Sequence, residues 1–197
     1  MIDLSEFKKE YSVKEKDFIF PYGSRVYGTN KDDSDYDFLA VLDNANTGEE
    51  YRKNNINIHI FNKRDFQNQL NDHKIHTLEA YYLPDNICKD NFKFNLDLVK
   101  LRHELSAKAS NSFVKAKKKL EVEKDYYIGW KSLFHSLRIL NFGIQIAKNG
   151  HINFAEANHY WFEILEAQAY NWLYFKEKYQ PIYNELATQF RMLAPKE

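Results

Sequence analysis

Apolar residues follow two textures along this sequence, and the change comes near Asn95. Before it, short apolar runs alternate with turn residues. Asp17-Phe18-Ile19-Phe20 reads as a brief strand that ends at Pro21-Tyr22-Gly23, and Asp35 to Leu42 as a second, bounded by Asp43-Asn44. Ile56 to Phe61 alternates through Ile60 and reads as a third strand. One helix is expected before the first strand and another from Lys63 through Leu70. Beyond Asn95, Leu98, Leu101, Leu105, Ala109, Phe113, Ala116 and Leu120 step by three and four along one long helix. Trp130, Leu133, Phe134, Leu137, Leu140 and Ile144 mark a second, which stops at Asn149-Gly150, a C-terminal signal. A third is expected from about Ala155 to Tyr179, and a short fourth from Pro181, where proline suits a first turn. The pattern is α+β over residues 1–95, followed by a helical bundle over 96–197.

Composition narrows the class. Among 197 residues, 44% are hydrophobic and 16% aromatic, enough to bury a core, and mean hydropathy is −0.67. No apolar stretch approaches the ~20 residues of a membrane span, and the first residues show no apolar leader. The single Cys88 excludes an internal disulfide or a cysteine-rich zinc site and has no activating partner in sequence, so it reads as inert. The expected setting is a reducing cytoplasm. Formal net charge is zero, yet between Lys100 and Lys148 eleven basic residues face only four acidic ones. Such asymmetry points to a local anion site, for nucleotide or nucleic acid; a solvated helix face is the plainer alternative.

The chemistry gathers in Gly23-Ser24, ten intervening residues, then Asp35-Tyr36-Asp37. A strand ends just before Gly23-Ser24 and a helix can start there. Glycine lets the backbone approach an anion, and Ser24 with the first helical N–H groups offers donors to phosphate. Residues two apart on a strand share a face, so Asp35 and Asp37 project together. Two such carboxylates repel each other unless a cation lies between them, and hard oxygen ligands suit Mg²⁺ shared with substrate phosphates.

This run, Tyr22-Gly23-Ser24-Arg25-Val26-Tyr27-Gly28-Thr29 with Ser34-Asp35-Tyr36-Asp37, resembles the signature of the DNA polymerase beta-like nucleotidyltransferase superfamily, and is similar to predicted nucleotidyltransferases of bacteria and their phages. The resemblance implies a nucleotidyltransferase-fold mixed sheet with flanking helices. It implies that Gly23 and Ser24 hold the β- and γ-phosphates of an NTP substrate, with Arg25 adding positive charge. Asp35 and Asp37 would bind Mg²⁺, with Mn²⁺ as the alternative. An NMP would then pass from the NTP to an acceptor hydroxyl, releasing pyrophosphate.

The sequence departs from that pattern at one position. Where the resemblance leads one to expect a third Asp, on the strand beside Asp35 and Asp37, Asn57 stands. Three readings of Asn57 stay open. It is an engineered Asp→Asn replacement, or it is natural and His59 or Glu79 completes a modified site, or the chain binds nucleotide without turning it over.

In the helical half, Lys131, His135 and Arg138 lie at i, i+4 and i+7 beside the apolar stripe, with Gln145 continuing the line. They suit phosphate oxygens; a cationic face paired with Glu163 or Glu166 is the structural alternative. Lys108, Lys115 and Lys119 form a second stripe, extended by Lys117 and Lys118, that could follow an RNA or DNA backbone. The stripe tips the expected acceptor toward an RNA end, tRNA-like, over a protein or small molecule. His73, His76 and Glu79, on an expected helix over 71–82, have a loosely zinc-like spacing. Trp161, Tyr170, Trp172, Tyr174 and Tyr179 read as core packing rather than base stacking. The reading is therefore a Mg²⁺-dependent nucleotidyltransferase, and its alternative is a catalytically impaired nucleotide- or nucleic-acid-binding module of the same fold.

Overall fold

A computed structural model describes residues 2–167 and 170–195. The chain divides into two compact units: Met1–Asn71 with His76–Phe94, and Asp72–Ile75 with Asn95–Glu197. The first is built on a four-stranded sheet in the order β1-β2-β4-β3, with β1 Phe18–Tyr22, β2 Tyr36–Leu42, β3 Glu50–Lys53 and β4 Ile56–Asn62. β2 and β4 are parallel, whereas β1 and β3 run antiparallel to their neighbours. Pro21 fits because β1 is an edge strand, where a missing N–H breaks no ladder. One face carries Ala40, Leu42, Tyr51, Ile58 and Ile60 against Phe7 of α1 (Ser5–Glu10). On the other, Phe20 stacks on Phe66 of α3 (Lys63–Asn71) and Phe61 meets the same ring edge-on, with ring centroids 5.8 and 6.1 Å apart. Two short helices follow the sheet, α4 (Ile75–Tyr81) and α5 (Ile87–Asn91).

The sheet differs from expectation in two details. The second strand starts at Tyr36, leaving Asp35 just ahead of it. β3 was not expected; its hairpin to β4 turns on Asn54 and Asn55, both at positive φ (48° and 57°), the geometry of a type I′ turn that asparagine tolerates. The helix expected over 71–82 begins only at Ile75, because His73 takes a positive φ of 59°.

In the second unit, α6 (Leu98–Lys118) is capped by Asp97, whose carboxylate accepts from the Val99 and Lys100 N–H groups, and it widens into a π-turn at Lys119–Glu123. α7 (Tyr126–Asn149) starts at the Asp125 cap and ends at Gly150 in the left-handed conformation, as its sequence signal requires. The third helix is not continuous. A single 3₁₀ turn (Glu156–Asn158) leads into α8 (His159–Glu166), and a separate α9 (Trp172–Leu193) begins where the Asn171 side chain caps Tyr174 N–H. Pro181 lies inside α9 rather than opening a fourth helix. It sits on the exposed side, where water can satisfy the carbonyl its ring frees, while Phe175, Tyr179, Leu186 and Phe190 bury the opposite side. Trp161, Trp172 and Tyr179 are core residues as expected, but Tyr170 and Tyr174 are exposed. Cys88 is buried, and burial with Asp85 nearby pushes its thiol up to about 12, in keeping with an inert residue.

α7 and α9 meet through Gly143, where a Cβ would come within 2.6 Å of the Phe190 ring. Replacing Gly143 with Val should cost about 1–3 kcal/mol by overpacking, measured as a lower denaturant midpoint at constant m-value; an unchanged midpoint would contradict this helix contact.

Candidate active site

The polar end of the sheet lies where β1 stops and β2 and β4 begin. Strand register sets one row of side chains across it: Tyr22, Asp37, Asn57 and Arg52, each the partner of the next. Gly23 follows directly, at φ 81°, and opens the one-turn helix α2 (Ser24–Tyr27). A Cβ at residue 23 would fall on Asp37 Oδ2 and within 3.0 Å of its Cγ, so only glycine permits this approach. The Val26 and Tyr27 N–H groups return to the Gly23 carbonyl, so the Ser24 and Arg25 N–H groups lead the turn. Asn57 Nδ2 donates to Asp37 Oδ1 at 3.1 Å, while Asn57 Oδ1 is buried without a hydrogen-bond partner. Asp35 is exposed and lines one cavity together with Asn57. Gly23, Ser24, Asp35, Asp37 and Asn57 therefore meet at one end of the first unit.

Arg25, the residue expected to add positive charge near the phosphates, lies against the loop ahead of β2. Its guanidinium lies 3.7 Å over the Tyr36 ring and donates to the Ser34 carbonyl at 2.7 Å and the Asp32 carbonyl at 3.4 Å. It clasps the loop that delivers Asp35. His59 and Glu79, considered as substitutes for a third carboxylate, have other partners. His59 Nδ1 lies 3.1 Å from Glu50 Oε1, and Tyr27 OH donates to Glu79 Oε2 at 2.6 Å in a buried contact. The zinc-like trio also separates by partner: His73 Nε2 accepts from Asp97 N–H at 2.9 Å, and His76 Nε2 lies 2.7 Å from Gln69 Oε1. Among the described residues no group of three or more His, Cys, Asp or Glu side chains could hold a metal ion.

Residues 4–99 match the family model of the nucleotidyltransferase domain. The chain carries a nucleotidyltransferase domain of the DNA polymerase beta-like superfamily. The matched segment holds the whole sheet and the row just described. A search of curated proteins finds no match. The domain over residues 4–99 supports nucleotidyl transfer in general, and domains of this type typically use divalent metals. No helix among the described residues is long and apolar enough to cross a membrane.

The second unit joins the two cationic stripes. Arg138 is buried and donates to His135 Nδ1 at 2.7 Å, while Lys131 is exposed, with its ammonium 5.8 Å from the Tyr127 ring centre. Burial first, then Arg138, Lys108, Lys115 and Lys131, hold the His135 pKa well below its ordinary value, so the ring is neutral and its Nδ1 accepts. Lys108 and Lys115 from α6 and Lys131 and Arg138 from α7 thus all bear electrostatically on one imidazole. The rest of the lysine run is neutralised locally: Lys117 by Glu121, Lys118 by Glu123, and Lys119 by Glu123 and Asp125. Gln145 is tied to the Asn153 backbone, and Glu163 pairs with Lys178 rather than with the α7 stripe. Sequence reasoning missed Arg52 and the Tyr27–Glu79 contact; the Asn54-Asn55 turn was the signal that could have placed Arg52 opposite Asn57.

The His135 shift fixes a sign. A histidine depressed in the folded state binds fewer protons there than in the unfolded chain, so stability falls as pH drops below about 6.5. His135→Gln should remove that slope between pH 7 and 5, read as unfolding free energy against pH. Parallel wild-type and variant profiles would refute the neutral assignment.

Proposed function

We propose that the protein is a Mg²⁺-dependent nucleotidyltransferase that moves an NMP from an NTP to an acceptor hydroxyl, an RNA end being the acceptor best suited to its cationic surface. The observation that carries the reading is the convergence of Gly23-Ser24, Asp35, Asp37 and Asn57 at one end of a sheet within a nucleotidyltransferase domain. The donor set fits the metal that the family implies. Two carboxylates and an amide are hard oxygen ligands, and Asn57 Oδ1 is a buried acceptor still lacking a partner. Mg²⁺, with Mn²⁺ as a substitute, would supply charge neutralisation of the triphosphate and a more acidic acceptor hydroxyl.

The chain's own residues account for the rest. Gly23 keeps the backbone close to the Asp37 carboxylate, so phosphates bound by the Ser24 hydroxyl and the leading N–H groups lie beside Asp37. Asp35 and Asp37 supply the negative charge that holds the cation. Asn57 orients Asp37 through its amide, and Arg25 orients Asp35 by fixing residues 32–36. Within the second unit, Lys131, His135 and Arg138 are proposed as an anion site of their own: Lys131 as an exposed ammonium, and His135 by holding the Arg138 guanidinium in place. Lys108 and Lys115 are the weaker proposal for nucleic-acid contact, with Lys119 drawn away by its acids.

Asn57 favours a second reading, a catalytically impaired nucleotide- or nucleic-acid-binding module. It leaves two negative charges where three are expected. If the missing charge is worth about 3–4 kcal/mol in the transition state, Asn57→Asp should raise turnover roughly 10²–10³-fold. The assay is pyrophosphate release and label transfer from each α-labelled NTP, with Mg²⁺ and bulk tRNA, beside an Asp35→Ala/Asp37→Ala control. A gain in Asn57→Asp with a dead control supports the transferase. Silence from both chains despite NTP-dependent thermal stabilisation supports the binding module.

A further inference from the structure

A cavity of about 470 Å³ opens beside Asp35 and Asn57, lined also by Arg52, Lys53, Asn54, Asn55 and Ile56. We propose that this cavity holds the acceptor, and that Arg52 selects a hydroxyl compound carrying a phosphate ester next to the reacting hydroxyl. The proposal rests on the transferase reading above and adds the place and chemistry of the second substrate.

The side-chain row across the sheet sets the geometry. Gly23 and Ser24 follow Tyr22 at one end of the row, and Arg52 stands at the other, with Asp37 and Asn57 between. Strands lie about 4.8 Å apart, so Arg52 is two strands, roughly 10 Å, from Asp37 on the flank away from the phosphate loop. In-line displacement needs the attacking and leaving oxygens on opposite sides of the α-phosphorus. Pyrophosphate bound at Gly23-Ser24 therefore requires the acceptor on the β4–β3 flank, where the cavity lies. There the acceptor oxygen bonds to the α-phosphorus. The bond from that phosphorus to the α–β bridging oxygen breaks, and its electron pair leaves with pyrophosphate. The hydroxyl proton passes to solvent in the open cavity.

The lining also carries charge selectivity. Lys53 turns its ammonium to Glu6, so Arg52 is the cation presented to the cavity. Its guanidinium contacts Glu50 at 2.7 Å and its side chain is 68% exposed, which leaves further N–H donors of the planar fork available. Such a fork matches two oxygens of one phosphate. Asn54 and Asn55, held at positive φ in the turn, add neutral amides at the rim. An uncharged acceptor offers Arg52 no counterpart.

The test measures binding of two acceptors, a fluorescent oligoribonucleotide with a free 3′ hydroxyl and a sugar 1-phosphate, with Mg²⁺ and a non-hydrolysable NTP analogue. Arg52→Ala should weaken the bound acceptor at least tenfold, lower the salt dependence by about one counterion, and leave NTP-analogue affinity within twofold. Arg52→Lys should recover part of the loss. Loss in the oligonucleotide arm identifies a nucleic-acid end; loss in the sugar arm alone identifies a small phosphorylated acceptor. Unchanged acceptor affinity in Arg52→Ala, with analogue binding intact, overturns the proposal. Failure of the wild-type chain to bind the NTP analogue overturns the transferase reading itself, and the acceptor site with it.

Discussion

The approach of Gly23 to the Asp37 carboxylate is the contact on which the site depends. A side chain at residue 23 would occupy the space of Asp37 Oδ2, and the positive φ there excludes nearly every other residue. Because Tyr22 and Asp37 are partners in the β1–β2 ladder, that approach follows from strand register. The parallel pairing of β2 with β4 then sets Asn57 next to Asp37, and the β3–β4 hairpin adds Arg52. One backbone constraint and three register assignments thus place Gly23-Ser24, Asp37, Asn57 and Arg52 in a line across the sheet, with Asp35 just ahead of β2. The apolar residues that alternate with them, Ala40, Ile58 and Ile60 foremost, fix the register by their burial on the other face.

Around that line, polar side chains do structural work that sequence alone does not reveal. Arg25 ends on the Tyr36 ring and two loop carbonyls, so its charge organises the segment ahead of Asp35. Tyr27 anchors the end of the short helix to the buried Glu79. In the helical unit the same principle recurs. A neutral His135 accepts from the buried Arg138; burial first, then the charges of Arg138 and of lysines from α6 and α7, keep the imidazole neutral. The surplus of basic residues along Lys100–Lys148 resolves into two parts, an α6–α7 cluster and a lysine run cancelled by Glu121, Glu123 and Asp125.

Much of this was legible in the sequence wherever one physical rule dominated. Alternation at Ile56, Ile58 and Ile60 gave a strand, helical spacing from Leu98 to Leu120 gave α6, and Asn149-Gly150 gave the end of α7. Gly23-Ser24 and Asp35-Tyr36-Asp37 were readable because each chemical demand restricts residue type. Where rules competed, reading failed. Pro181 suggested a helix start, but its exposed position in α9 lets solvent take the cost. Glu50–Lys53 is too short and too polar to announce a strand without its hairpin partner. Lys117 to Lys119 look like one patch until the π-turn brings their acids around.

Nucleotidyl transfer at this site requires Asp35 and Asp37 to hold a divalent cation together with a nucleotide. Electron paramagnetic resonance of Mn²⁺, titrated into the protein with and without a non-hydrolysable NTP, tests this directly. Nucleotide-dependent Mn²⁺ binding in the wild-type chain, abolished in Asp35→Ala/Asp37→Ala while the fold is retained, is the predicted result. Equal Mn²⁺ binding by the two proteins, or wild-type binding indifferent to nucleotide, would contradict it.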